Sequence, residues 1–222
     1  MKSHLRTKPH ESRRSFIGGS DARIIMGSDE AALLRLWREK RGEAQPEDLS
    51  GSLIVQLGAA TEDLNRSWYE RNTGRRVRDV QRRVKHSAIP WMAATLDGIV
   101  DGSEAVFEAK FMLPWSFSEE AAAEKYLAQL QHNMWVTHLR SSVLSIITGG
   151  GKWVEIAIPT DPLYLQRLGL GREEVLALRP VRRTTPPHQC RAATTTHRGR
   201  PHRRHERVEF VGGVRGAVPR HP

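Results

Sequence analysis

The sequence predicts an α/β (α+β) fold, with a central mixed, mainly antiparallel sheet flanked by helices. Two observations predict it. Residues 20–74 carry apolar side chains at helical spacing with helix start and stop residues, whereas Arg75 to Ile89 alternates in places, as at Val77, Val80 and Val84, and strand-like runs continue to Phe111. The chain then returns to one long helix, a glycine-centred hairpin and a last helix.

Each element has a local reason. Ser20-Asp21-Ala22 opens a short helix, with Ser20 as its expected N-cap. Ser28-Asp29-Glu30 caps a second, which carries Leu33, Leu34, Leu36 and Trp37 and stops near Gly42. A polar loop with Pro46 leads to a long helix over Leu53–Asn72, stopped by Gly74, with Val55, Ala59, Leu64, Trp68 and Tyr69 as its expected apolar face. Arg75 to Ile89 reads as one or two strands and Trp91 to Val100 as another. Asp101-Gly102 marks a hairpin turn, and Ala105 to Phe111 is the returning strand. A strong helix follows over Ser118–Thr137, with Tyr126, Leu127, Leu130, Met134 and Trp135 inward. Val143–Thr148 and Trp153–Ile158 form a hairpin around Gly149-Gly150-Gly151, and a helix runs from Asp161 towards Leu176.

The 222 residues suffice for one domain with a real core plus an extension. The formal net charge is +10, but residues 179–222 hold eleven Arg and only two acidic residues, Glu206 and Glu209, so this extension supplies nearly all of the excess. The expected organisation is a body over 1–178 and a basic tail over 179–222. The tail shows no sustained apolar period, so it reads as a disordered extension with salt-sensitive attraction to phosphate, or as an out-of-frame reading. The lone Cys190 excludes an intramolecular disulfide framework and a four-thiolate iron–sulfur cluster. No apolar run spans a membrane and no apolar segment follows the basic N-terminus, so a soluble intracellular protein is expected.

The segment with chemical content is Leu96-Asp97-Gly98, a hairpin, then Phe107-Glu108-Ala109-Lys110. Alternate residues of a strand share a face, so Glu108 and Lys110 point one way while Phe107 and Ala109 face the other layer. The hairpin folds Asp97 back beside them. Two carboxylates and an ammonium at one sheet edge suit a hard divalent cation, Mg²⁺ with Mn²⁺ as a substitute, which takes carboxylate and water oxygens. Such a cation lowers the pKa of bound water and offsets charge building on phosphorus. A Glu-x-Lys alone on a strand is more often an exposed ion pair worth about 0–1 kcal/mol. The upstream Asp-Gly brings the two readings level.

A fuller pattern tips the balance. The sequence contains Arg13-Arg14-Ser15-Phe16-Ile17-Gly18-Gly19-Ser20-Asp21-Ala22, then Gly58-Ala59-Ala60-Thr61-Glu62, Leu96-Asp97-Gly98, Glu108-Ala109-Lys110 and Tyr126-Leu127-Ala128-Gln129-Leu130-Gln131-His132-Asn133-Met134-Trp135-Val136. In this order and spacing the blocks resemble the YqaJ-type viral recombinase family, relatives of phage lambda exonuclease in the PD-(D/E)xK nuclease superfamily. The resemblance covers Arg13 to Tyr164. It implies a restriction-endonuclease-like core and a Mg²⁺-dependent exodeoxyribonuclease that resects double-stranded DNA ends 5′ to 3′ in phage or prophage recombination, in the cytoplasm. A single-strand annealing protein and a homotrimer are the partners it implies.

The resemblance also implies roles. Asp97 and Glu108 match the metal ligands, with the Ala109 carbonyl as a further ligand, and Lys110 matches the catalytic lysine. Glu62 matches the acidic residue that supports a metal or its water. Gln129 matches a glutamine that orients Lys110 or substrate; Gln131 and His132 are expected to be structural or exposed. Arg13 and Ser20 resemble a 5′-phosphate pocket, with Arg14 as the alternative if the register slips. Leu96 stands where the superfamily name has Pro. The rival reading is a DNA-binding protein of this fold without turnover.

Overall fold

The computed structural model describes residues 13–177; the expected tail lies outside the described residues, as do residues 1–12. Helix α1 (Gly19–Met26) is followed by α2 (Glu30–Arg41) and the long α3 (Leu53–Thr73). Strands β1 (Val77–Arg78), β2 (Arg83–Lys85), β3 (Ala93–Thr95), β4 (Gly98–Val100) and β5 (Ala105–Met112) come next. Helix α4 (Glu119–Thr137), strands β6 (Ser141–Thr148) and β7 (Trp153–Pro159) and helix α5 (Pro162–Ala177) complete the order.

The main sheet runs β1-β4-β5-β6-β7, and β2 pairs with β3 in a separate ribbon. All neighbours are antiparallel except β5 and β6, which are parallel because α4 carries the chain back across the sheet between them. The expected mixed, mainly antiparallel sheet flanked by helices is therefore the observed fold. One face of β5 sends Phe107 and Ala109 into a cluster with Tyr69 of α3, Val77, Val100 and Val143. On the other face, Met134 of α4 packs with Val106 and Ile99, and Tyr126 and Leu130 of α4 pack with Leu144 and Ile146. Leu168 of α5 packs with Ala22 of α1 and Ala128 of α4.

Three expectations are corrected. Helix α1 is capped by Gly18 rather than Ser20: Asp21 takes the Gly18 N–H at 2.8 Å, the return half of a capping box, and Ser20 lies within the first turn. The stretch Trp91–Val100 is not one strand. It breaks at Leu96-Asp97, β3 going to the ribbon and β4 to the main sheet. The buried face of α3 is not its apolar stripe. Val55, Leu64 and Trp68 are exposed; of the expected face Tyr69 is buried, and the other buried residue of the helix is Asn65.

The reason for the last correction is hydrogen bonding. Asn65 donates to the carbonyls of Lys110 (3.1 Å) and Ser145 (2.9 Å) and accepts the Ser145 hydroxyl at 2.6 Å, while Trp153 Nε1 donates to that hydroxyl at 2.9 Å. A polar side chain that satisfies β5 and β6 together sets the rotation of α3. No helix among the described residues is long and apolar enough to cross a membrane.

Candidate active site

The break after β3 presents Asp97 at the end of the ribbon, half-buried, beside β5. Gly98 is required there by close approach: a Cβ on it would lie 2.2 Å from Val77 Cγ1. Pairing of Gly98 with Phe107 brings Asp97 alongside the next residues of β5. Asp97 Oδ2 accepts the Ala109 N–H at 3.0 Å.

Glu108 and Lys110 share the opposite face of β5 from Phe107, as alternation requires. Glu108 is only 1% exposed, and its Oε1 is bonded by both Lys110 Nζ and Gln129 Nε2. Asn133, one turn beyond Gln129 on α4, donates to Oε2 at 3.1 Å. A carboxylate this buried survives only with such donors. Burial first, and the charge of Asp97 second, raise the Glu108 pKa to about 7, against the pull of Lys110. Burial works to lower the Lys110 pKa, but the Glu108 and Asp97 charges outweigh it and leave it above the ordinary lysine value.

Glu62 reaches the same region from α3. Its carboxyl is pushed up, first by burial and then by Asp97, against a hydrogen bond from Gln81 and the charge of Lys110. Gln81 and Asp79 both hold positive φ (56° and 55°) although neither is glycine, so the loop that offers the Gln81 amide to Glu62 carries backbone strain.

The structure thus brings Asp97, Glu108, Ala109, Lys110 and Gln129 together, with Glu62 within electrostatic reach. Gln129 engages Glu108 rather than Lys110. Gln131 and His132 are buried elsewhere, Gln131 on the Pro159 carbonyl (2.8 Å) and His132 on the Ala93 carbonyl (2.9 Å). Asn133, Gln81 and Asn65 are contributors that the sequence reading passed over. Only Asn133 carried a signal, being four residues after Gln129 on a helix and so on its face.

Three oxygen-bearing acids and a main-chain carbonyl are a hard donor set suited to Mg²⁺ or Mn²⁺. The donors are engaged within the protein, Asp97 with the Ala109 N–H and Glu108 with three side chains. Accordingly, no group of three His, Cys, Asp or Glu among the described residues is arranged as a ready cation cage. The pKa values of Glu62 and Glu108 are raised first by burial and second by the charge of Asp97, and a cation among them would oppose both effects.

A second group of residues stands beside this one. Ile17 forms a bridge with Met92, giving its N–H to the Trp91 carbonyl (2.7 Å) and taking the Ala93 N–H (3.2 Å), so the arm 13–17 is stitched to the edge of β3. Arg13 Nη2 lies 3.5 Å from Ser20 Oγ and 4.0 Å from Asp21 Oδ1. The Arg14 guanidinium instead covers Gly42, so Arg13 is the arginine at Ser20. Helix α1 abuts α4 at Gly19, where a Cβ would meet Asn133 Oδ1 at 2.7 Å and Gln129 Cγ at 2.9 Å.

Comparison with known proteins agrees with this architecture. The alkaline exonuclease LHK-Exo from Laribacter hongkongensis superposes with a TM-score of 0.63 at 18% identity, over 76% of this chain and 89% of that one. Its complex with dAMP gives 0.62 at 19% identity, over 75% and 88%. A phage-related exonuclease from Haemophilus somnus 129PT gives 0.59 at 12% identity, over 72% and 91%. The uncharacterized protein YqaJ of Bacillus subtilis (strain 168) is 30% identical over 155 residues, 67% of this chain, and the match spans 48% of that relative's length. The model of the YqaJ-like viral recombinase domain matches residues 10–140, from the arm through α4, and on that match the chain belongs to the YqaJ-like viral recombinase domain family.

Proposed function

We propose that the chain is a Mg²⁺-dependent exodeoxyribonuclease, with Mn²⁺ able to substitute, that resects double-stranded DNA ends 5′ to 3′ in phage or prophage recombination. The nuclease domain occupies residues 1–178 and works in the cytoplasm; the basic residues 179–222 add affinity for DNA. A single-strand annealing protein receives the 3′ overhang, and a homotrimer is the working assembly.

The observation that carries this reading is the convergence of Asp97, Glu108 and Lys110 at the β4–β5 edge. Asp97, Glu108 and the Ala109 carbonyl would hold the cation, with Glu62 supporting it or its water. When bound it would offset the charge that grows on the phosphoryl oxygens. The protein's own groups do the rest. Lys110, kept protonated by its acidic neighbours, aligns water and donates to the scissile phosphate. Gln129 and Asn133 fix the plane of the Glu108 carboxylate. Arg13 and Ser20 bind the 5′ phosphate at the start of α1, where main-chain N–H groups favour an anion. The family match and the exonuclease fold support the reading, and the dAMP complex of the Laribacter enzyme supports a mononucleotide product.

One observation favours a second reading, a DNA-binding protein of this fold without turnover: both oxygens of Glu108 are already engaged. The deciding experiment offers 5′-phosphorylated linear duplex and a covalently closed circle, with and without Mg²⁺. Nucleotide release from the linear DNA alone, dependent on Mg²⁺ and abolished in folded Lys110→Ala and Asp97→Ala variants, is expected. Cutting of the circle indicates an endonuclease. Binding without release in Mg²⁺ or Mn²⁺ supports the second reading, and wild-type digestion by either variant overturns the site.

A further inference from the structure

Lys40 lies on α2, outside the catalytic cluster, yet its side chain is only 5% exposed. An ammonium has three donors and no acceptor. Lys40 uses all three: on the Arg13 carbonyl (2.9 Å), the Phe16 carbonyl (2.8 Å) and Asp21 Oδ2 (2.6 Å). No donor is left for DNA. The same Asp21 oxygen takes the Gly18 N–H that starts α1, while its other oxygen stands 4.0 Å from Arg13 Nη2. A single buried cation therefore ties the main chain of the arm at Arg13 and Phe16 and the first turn of α1, the two parts between which Arg13 and Ser20 face each other.

A buried ion pair of this kind is weak support for stability, because desolvation offsets most of the attraction. Its established use is to fix a register. Four residues of a basic arm would otherwise have many conformations, and ordering them on a ligand costs affinity.

We propose that Lys40 is a positioning residue that pre-forms the seat for the terminal phosphate monoester, holding Arg13 against Ser20 before DNA arrives. This inference rests on the reading of Arg13 and Ser20 as the 5′-phosphate site. Without Lys40 the arm keeps its bridge at Ile17 but loses the grip on Arg13 and Phe16, Asp21 is left as a buried anion facing Arg13, and the arginine turns inward to it.

The test measures steady-state digestion of two duplexes of identical sequence, one 5′-phosphorylated and one 5′-hydroxyl, in Mg²⁺, by the full-length wild type, Lys40→Met and Lys40→Arg. Circular dichroism and thermal melting report folding. In Lys40→Met the preference for the phosphorylated end is expected to fall by about tenfold. That loss appears mainly in KM for phosphorylated DNA rather than in kcat. Lys40→Arg, whose planar head keeps the charge but not the three-point grip, falls between. A merely stabilising residue would lower both substrates' rates together and leave their ratio alone.

If a folded variant keeps the wild-type ratio, the role of Lys40 is overturned while the phosphate site stands. Should neither variant fold, Lys40 is a general stabilising residue and the specific role is likewise overturned. A wild type that digests both ends equally overturns the phosphate site itself, and the Lys40 role with it.

Discussion

Glu108 is a carboxyl group almost stripped of water, and its proton affinity shows it. Its pKa in the folded chain is about 7 against an ordinary value of 4.5. Below pH 4.5 it is protonated in folded and unfolded chains alike and contributes nothing to pH dependence. Between 4.5 and 7 the unfolded chain releases the proton first, so stability falls as pH rises, and above 7 the deficit is constant. The metal-free protein in chelator is therefore expected to have a higher urea midpoint at pH 5 than at pH 8, and Glu108→Gln to flatten that difference. A Glu108→Gln variant with the wild-type slope removes Glu108 as the cause. Alternation and a hairpin were enough to place Glu108, Lys110 and Asp97 at one edge from sequence. The donors to Glu108 were less legible, because Asn133 lies on a helix whose contact with β5 depends on the whole sheet.

At the scale of elements, α3 shows why an apolar stripe can mislead. Leu64 and Trp68 promised the buried face, yet Asn65 decides it through bonds to two strand carbonyls more than forty residues away. Such long-range polar satisfaction has no period and leaves no mark in the sequence. Asn65→Ala removes the bonds to both carbonyls and to the Ser145 hydroxyl and is expected to cost about 1–3 kcal/mol in chemical denaturation, the range for removing a buried hydrogen-bonding partner. An effect below about 0.5 kcal/mol, the range of surface changes, would show that α3 is held by other contacts. Gly98 makes the complementary case, since the Asp-Gly pair was visible but its reason was not. A methyl group there collides with Val77 Cγ1 and approaches the Arg78 carbonyl to 3.2 Å. Gly98→Ala is expected to destabilise by about 1–3 kcal/mol. Val77→Ala in the same chain should restore part of that, read as a non-additive double-mutant cycle. Strict additivity would show that the collision is relieved elsewhere.

For the whole molecule, charge is divided unequally along the chain. Nearly all the positive excess belongs to residues 179–222, while the candidate site uses Lys110, Arg13 and Lys40 from a body near neutrality. A chain ending at residue 178 is expected to keep Mg²⁺-dependent nucleotide release but to bind DNA with a shallower dependence on salt concentration, since fewer counterions are released. An unchanged salt slope would place the DNA contacts entirely in the body. The fold class was legible because the change from helical to alternating spacing is a property of neighbours along the chain. The split of Trp91–Val100 between two sheets was not, because a bend at Leu96-Asp97 depends on which distant strands are free to pair.

The bridge at Ile17 carries one more consequence. Since Ile17 gives one main-chain bond to Trp91 and takes another from Ala93, the arm is held on the β3 edge at two points. The ribbon that Ile17 joins arrives, four residues after Ala93, at Asp97. The same two main-chain bonds thus locate both the arm that carries Arg13 and the strand that leads into Asp97.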